Sequence, residues 1–219
     1  MFYLPQVYFN FFKAFNNSST IMTLDQHYWN NRYHEKETGW DMGSVSTPLK
    51  EYIDQIRDKN IAILIPGCGN AHEAAYLTQN GFKNITIVDY AELVVNDLKI
   101  KFKADEDAGI LKITKNNFFE LNGQYDLIIE QTFFCALDPL LREKYAQKMN
   151  SLLNQDGKLV GVLFSFALTS EGPPFGGSML EYRNYFEHQF QINVLEDCYN
   201  SIQPRKGREL FMILKKAKQ

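Results

Sequence analysis

A chain of 219 residues, 45% hydrophobic and 22% charged, suits one large domain with apolar content ample for a core. Its net charge of -3 gives no bulk attraction to nucleic acid or anionic lipid, so neither is expected as a partner. Cys68, Cys135 and Cys198 are widely spaced and form no CxxC pair, which argues against a disulfide framework and against a zinc site. The histidines His27, His34, His72 and His188 are read as surface or satisfied groups, and no metal is expected.

Met1 to Ile21 are rich in Phe and Asn and broken by Pro5 and Lys13. The run lacks a basic start, an unbroken apolar stretch and a small-residue cleavage site, and it is too polar to span a bilayer. Regular patterning begins after Met22. Residues 1–21 are therefore expected to be a disordered or non-native extension, and residues 22–219 a single domain. The expected setting is cytoplasmic and the expected state a monomer.

The start of that domain, about residues 22–58, carries both tryptophans, Trp29 and Trp40. Trp29 and Tyr33 stand four apart, on one face of a short helix. Aromatic faces can hold a cation such as a sulfonium, each contact contributing about 0.5–2 kcal/mol. A lid over such a cation and a hydrophobic anchor for the helix are both open uses of this cluster.

Beyond it, apolar runs of strand length alternate with helical patterns, the mark of a parallel sheet covered on both faces. The runs are Ile61 to Ile65, Ile85 to Val88, Leu111 to Thr114, Tyr125 to Glu130 and Leu159 to Phe164, followed by Ile192 to Leu195 and Leu210 to Leu214. A helix is expected from His72 to Gly81. Another opens at Asp138-Pro139, buries Leu141, Tyr145, Met149 and Leu152, and ends before Gly157. Ser178 and Glu181 form a capping box for a third. The short link Asn200 to Arg208 predicts an antiparallel hairpin for the last two strands. Its Arg205, Lys206 and Arg208 read as a solvated loop.

In an open α/β sheet, ligands sit beyond the carboxyl ends of the strands. The first strand leaves through Gly67-Cys68-Gly69, where glycine lets backbone approach a ligand; His72 takes the place of a third glycine, which weakens a dinucleotide reading. Asp89 follows Gly67 by 22 residues, close to the roughly 20-residue spacing at which a carboxylate accepts ribose hydroxyls. Capping the next helix is the alternative, and the ribose role is preferred over it. Turn and acid together indicate an adenosine-containing ligand. Asn117-Phe118 at the third exit suits an adenine, the amide reading its edge and the ring its face. At the fourth, Glu130-Gln131-Thr132 could hold a polar tail, with Phe133 and Phe134 walling a second ligand. A polar turn and core phenylalanines account for the same residues.

The chain resembles the thiopurine S-methyltransferase superfamily, and within it the thiol and halide methyltransferases. The likeness rests on Tyr28-Trp29 with Gly39-Trp40-Asp41, on Thr47-Pro48-Leu49, on Ile65-Pro66-Gly67-Cys68-Gly69, on Thr132-Phe133-Phe134-Cys135-Ala136 and on Gly172-Pro173-Pro174-Phe175. It implies a doubly wound, Rossmann-like, seven-stranded sheet, mostly parallel with an antiparallel C-terminal hairpin. It also implies an S-adenosylmethionine-dependent enzyme acting on a small molecule: a thiol, thiocyanate, halide or thiopurine. By that likeness Trp29, Tyr33, Trp40, Gly67, Cys68, Gly69, Asp89, Asn117, Phe118 and Gln131 would contact the cofactor. Tyr33, Phe133, Phe134 and Phe175 are candidates for the acceptor pocket. Asn117 stands where the family commonly has aspartate, and Gln131 where it often has tyrosine.

Methyl transfer to a soft anion needs positioning more than a general base, and no convincing base stands at the strand exits. Tyr182 and Arg183 are further candidates to orient an acceptor, and the Gly-Pro-Pro-Phe-Gly-Gly run is expected to form a lid. Two rival readings share these residues. A non-catalytic sensor would bind the cofactor without turnover, and a nicotinamide-dependent reductase would need a sixth parallel strand and a proton donor.

Overall fold

A computed structural model describes residues 24–217. The proposed extension 1–21 and the start at Met22 lie outside the described residues. Seven strands, β1 (Ile63–Pro66), β2 (Ile85–Asp89), β3 (Leu111–Lys115), β4 (Tyr125–Gln131), β5 (Leu153–Phe164), β6 (Phe190–Asp197) and β7 (Glu209–Lys216), form one sheet in the order β3-β2-β1-β4-β5-β7-β6. The first five are parallel, while β7 runs antiparallel to both β5 and β6. The strand order reverses between β1 and β4, which opens a crevice at their carboxyl ends.

Period-two alternation sends neighbouring residues into two separate cores. Ile63, Ile65, Ile87, Leu127 and Ile129 pack under the helices α2 (Thr47–Asp54), α3 (His72–Gln79) and α4 (Glu92–Lys101), through Leu49, Ile53, Ala74, Leu77 and Leu98. Leu64, Val88, Ile128 and Leu159 face the opposite way, onto α6 (Arg142–Leu152) and α7 (Met179–Phe186). A short helix α5 (Lys103–Asp107) joins α4 to β3. At the N-terminal side, α1 (Gln26–His34) buries no residue completely. It is capped by Asp25, which accepts the Tyr28 N–H, and tied to α4 by the Leu93 N–H donating to Asn30 Oδ1.

Three expectations need correction. Asp138 does cap a turn before a proline, accepting the Leu140 N–H, but that turn is a 3-10 segment, Pro139–Leu141, which leaves Leu141 at the surface. The α-helix begins one residue later, so its buried face is Tyr145, Ala146, Met149 and Leu152, with Arg142 buried at its start. Helix α6 does end before Gly157, at Leu152, but Gly157 itself lies within a strand. The chain enters β5 at Leu153, which pairs with Tyr125 before a register shift. Arg205 is not solvated: it is 8% exposed, ion-paired to Glu209 at 3.3 Å, and donates to the Trp40 carbonyl at 2.7 Å. A short link between two hairpin strands cannot swing clear of the sheet end, so one of its side chains is driven inward. Lys206 and Arg208 are exposed as expected.

Candidate active site

The turn after β1 carries the cleft floor. Gly67 adopts φ +57, and a Cβ there would sit 2.3 Å from Phe133 Cδ2, so both the backbone angle and the neighbour demand glycine. One turn further on, the Gly69 N–H donates to Asp89 Oδ2 at 3.0 Å, while Asp89 Oδ1 accepts from the Ala91 N–H at 2.9 Å. Asp89 thus ties the β1 turn to the start of α4 and still lines the cleft. Burial pushes its carboxyl upward, and the backbone donors partly oppose this.

Above the floor stand three aromatic rings from the N-terminal segment. Trp29 and Trp40 meet edge to face at 5.7 Å, and Tyr33 and Trp40 at 5.6 Å. Burial, with Asp89 and Cys68 beside it, pushes the Tyr33 phenol upward, so it stays neutral. Trp29, Tyr33, Trp40, Gly67, Asp89, Phe118 and Phe133 line one cleft, together with Asn116 and Ala136. This set fits an adenosylated sulfonium: backbone without Cβ at the turn, a carboxylate at the end of β2, Phe118 for a base, and ring faces and edges for a cation.

Cys68, Gly69 and Gln131 line a smaller, more polar cavity that continues from Gly67, with Asp41, Asn70 and Thr132 around it. Gln131 Oε1 accepts from Ser46 Oγ at 2.9 Å. Asp41 accepts from the Gly43 N–H at 2.8 Å, from His72 at 2.7 Å and from the Asn70 amide. Those donors hold its carboxyl below the usual range, although burial acts the other way.

The remaining candidates separate. Phe133 lines the cleft, but Phe134 is 1% exposed and packs on Tyr145 at 4.9 Å and Tyr182 at 5.6 Å, in the core rather than in a cavity wall. Phe175 is also buried, tied by its N–H to the Cys135 carbonyl at 2.7 Å. Asn117 caps a 3-10 turn through the Phe119 N–H and borders a groove that shares Trp29, Tyr90, Phe118 and Phe133 with the cleft. Its neighbour Asn116 takes the place beside Asp89. Tyr182 is buried and donates to the Phe164 carbonyl at 2.5 Å, while Arg183 is exposed.

A second cavity adjoins the cleft and shares Trp29, Trp40 and Ala136 with it. Its other walls are Phe164, Phe166, Pro173 and Pro174, with Arg32, Arg205 and Arg208 converging on it. Arg205 lies over Phe164 at 5.2 Å, Arg208 over Phe166 at 4.9 Å and Arg32 over Trp40 at 5.6 Å. The Gly-Pro-Pro-Phe-Gly-Gly run forms one side of this cavity. It is pinned by Arg142 Nη2 donating to the Gly176 carbonyl at 2.7 Å and by the Gly177 N–H donating to the Phe166 carbonyl. Both X-Pro bonds, Gly172-Pro173 and Pro173-Pro174, are cis. Arg205 and Arg208 stand three apart in the hairpin link and Arg32 lies far from them in the chain, so no local pattern brings the three together. For Asn116, the run of two amides after β3 was the available signal.

Residues 24–217 match the family described as thiopurine S-methyltransferase. A probable thiol methyltransferase 2 of Arabidopsis thaliana is 28% identical over 184 residues, covering 83% of this chain and 81% of that protein. A thiocyanate methyltransferase 1 of Brassica oleracea is 25% identical over 190 residues, covering 85% and 84%. The solved 1,6-didemethyltoxoflavin-N1-methyltransferase of Burkholderia thailandensis, bound to S-adenosylhomocysteine, superposes with a TM-score of 0.69 at 17% identity, covering 88% of this chain and 87% of that one.

Proposed function

The chain belongs to the thiopurine S-methyltransferase family and is an S-adenosylmethionine-dependent methyltransferase; from that premise we propose that its acceptor is a small, soft, anionic nucleophile such as a thiolate, thiocyanate or halide. The observation that carries the reading is the second cavity. Among the described residues lining it, the titratable groups are three arginines and Cys135, with no carboxylate and no imidazole. Burial pushes the Cys135 thiol upward, so it does not act as a base. Glu37 and Glu209 pair with Arg32 and Arg205 at 3.0 and 3.3 Å. An anion therefore gains from the N–H donors those guanidiniums leave free and from Arg208, which has no ion pair among the described residues, while the phenylalanine and proline walls limit its solvation.

Residue roles follow within the same proposal. Trp29, Tyr33 and Trp40 would surround the cationic centre, Asp89 would take the ribose, Phe118 and Asn116 the adenine, and the cavity around Gln131 and Asp41 the amino-acid end. When bound, S-adenosylmethionine supplies an electrophilic methyl group and leaves as S-adenosylhomocysteine. The chain contributes orientation: rings that fix the cation on one side of the shared wall, and arginines that fix the anion on the other. Held positions of this kind can lower a barrier by up to about 7–11 kcal/mol. A cytoplasmic monomer handling small molecules goes with this function. Among the described residues, no helix is long and apolar enough to cross a membrane.

The test is S-adenosylhomocysteine production with hydrosulfide, thiocyanate, iodide, an aromatic thiol and a thiopurine. Turnover is expected with the small anions, and Arg205→Gln should raise their KM roughly tenfold, as for loss of one charge-assisted contact. If only neutral acceptors react, or if Arg205→Gln leaves KM for thiocyanate unchanged, the anionic acceptor is wrong.

A further inference from the structure

We propose that Glu130 is a positioning residue for methyl transfer, its buried carboxylate clasping the strained turn that forms the partition between the cofactor cleft and the acceptor cavity. The inference rests on the assignment of those two cavities above. At the end of β4 the chain reverses through Thr132, at φ +57. A β-branched residue in the left-handed region is a genuine outlier, so surrounding contacts must hold it there.

Glu130 provides those contacts. It is 0% exposed; Oε1 accepts from the Phe133 N–H at 2.8 Å and the Phe134 N–H at 2.9 Å, and Oε2 accepts from the Tyr145 hydroxyl at 2.5 Å. The neighbouring strand makes room for it. Gly161 pairs with Glu130 across the sheet, and a Cβ at Gly161 would lie 2.4 Å from that of Glu130. The turn so held serves every part of the site. Thr132 borders the polar cavity, Phe133 packs over Gly67 in the cofactor cleft, and Cys135 and Ala136 face the acceptor.

The clasp has a charge logic as well as a shape. The two backbone N–H groups can only donate, and the Tyr145 hydroxyl donates to the ionised form, so these partners favour the carboxylate over the carboxylic acid. Facing it are Tyr145 from α6, Cys135 from the turn and Tyr182 from α7, with Arg142 acting on Cys135 and Tyr182 and Arg205 on Cys135. Burial pushes the Glu130 carboxyl up to about 7, and the hydrogen bonds from Tyr145, Phe134 and Phe133 oppose this, so both forms are present near neutrality.

Glu130→Gln separates shape from charge. Its amide oxygen can accept both backbone N–H groups, its amide nitrogen meets the Tyr145 hydroxyl, and the titration is gone. The experiment is calorimetric binding of S-adenosylhomocysteine from pH 5.5 to 8.5, with kcat and KM for iodide, whose ionisation is constant over that range. In the unmodified chain, affinity for S-adenosylhomocysteine should rise with pH through an inflection near 7. Glu130→Gln should abolish the inflection and weaken binding about three- to tenfold at pH 8, with Glu130→Ala weaker still. An unmodified chain with pH-independent affinity, or a Gln variant with unaltered affinity, kcat and pH profile, overturns the proposal. The binding readout needs no acceptor, so its failure is distinct from failure of the anionic-acceptor reading.

Discussion

At the scale of single residues, the site is built where backbone and side chains leave no alternatives. Gly67 is the clearest case: a left-handed angle and a phenylalanine ring at the position of the missing Cβ act together. Gly67→Ala should weaken S-adenosylhomocysteine binding at least tenfold, since strain of this kind costs about 1–3 kcal/mol and displaces Phe133 as well. Unchanged affinity by calorimetry would contradict that account. Gly67, Gly69, Asp89 and the tryptophans were legible because each sits at a strand exit or in a local pattern that chemistry singles out. Phe133 and Phe134 were not separable. Both are phenylalanine in one short turn, and only the left-handed Thr132 before them decides that one faces the cleft and the other the core. Arg205 was misread for a related reason, since a charged residue in a short link gives no sign that its neighbours will enclose it.

Elements place these residues relative to one another. The seven strands and their order of appearance were legible from apolar runs of the right length, and the hairpin from its short link. Boundaries were less so, because β5 extends back to Leu153 through an irregular register that no apolar pattern marks. The capping box of α7 was legible and is present: Ser178 Oγ accepts the Glu181 N–H at 3.3 Å, and Glu181 Oε2 accepts the Ser178 N–H at 2.8 Å. It also starts the helix immediately after the proline-rich wall of the second cavity. Ser178→Ala should lower stability by about 1 kcal/mol. For a domain of this size that is a fall of about 2–4 °C in Tm, readable by scanning calorimetry. A variant melting with the parent would mean that Arg142 and Tyr182, not the cap, fix this end of the helix.

Across the whole molecule, buried carboxylates set how stability responds to pH. Burial raises the pKa of Glu130, from an ordinary 4.5 to about 7, and pushes Asp89 and Glu73 upward as well. A raised acid means the folded chain binds more protons than the unfolded chain between the two values, so this contribution is present below about 4.5 and is lost as pH rises through about 7. Thermal scans should therefore show Tm falling from pH 5 to pH 8, with a smaller fall in Glu130→Gln; a parallel fall in both would place the effect elsewhere. Stability and the clasp thus pull in opposite directions, since the ionised form that completes the hydrogen bonds is the one the fold resists. The two cavities, for their part, share Trp29, Trp40 and Ala136. Side chains ordered by one ligand are then already ordered for the other, so the second binds at a smaller entropic cost. Linkage makes this reciprocal: whatever factor the cofactor adds to the hold on the acceptor, the acceptor returns to the cofactor. The wall between the two ligands is also the coupling between them.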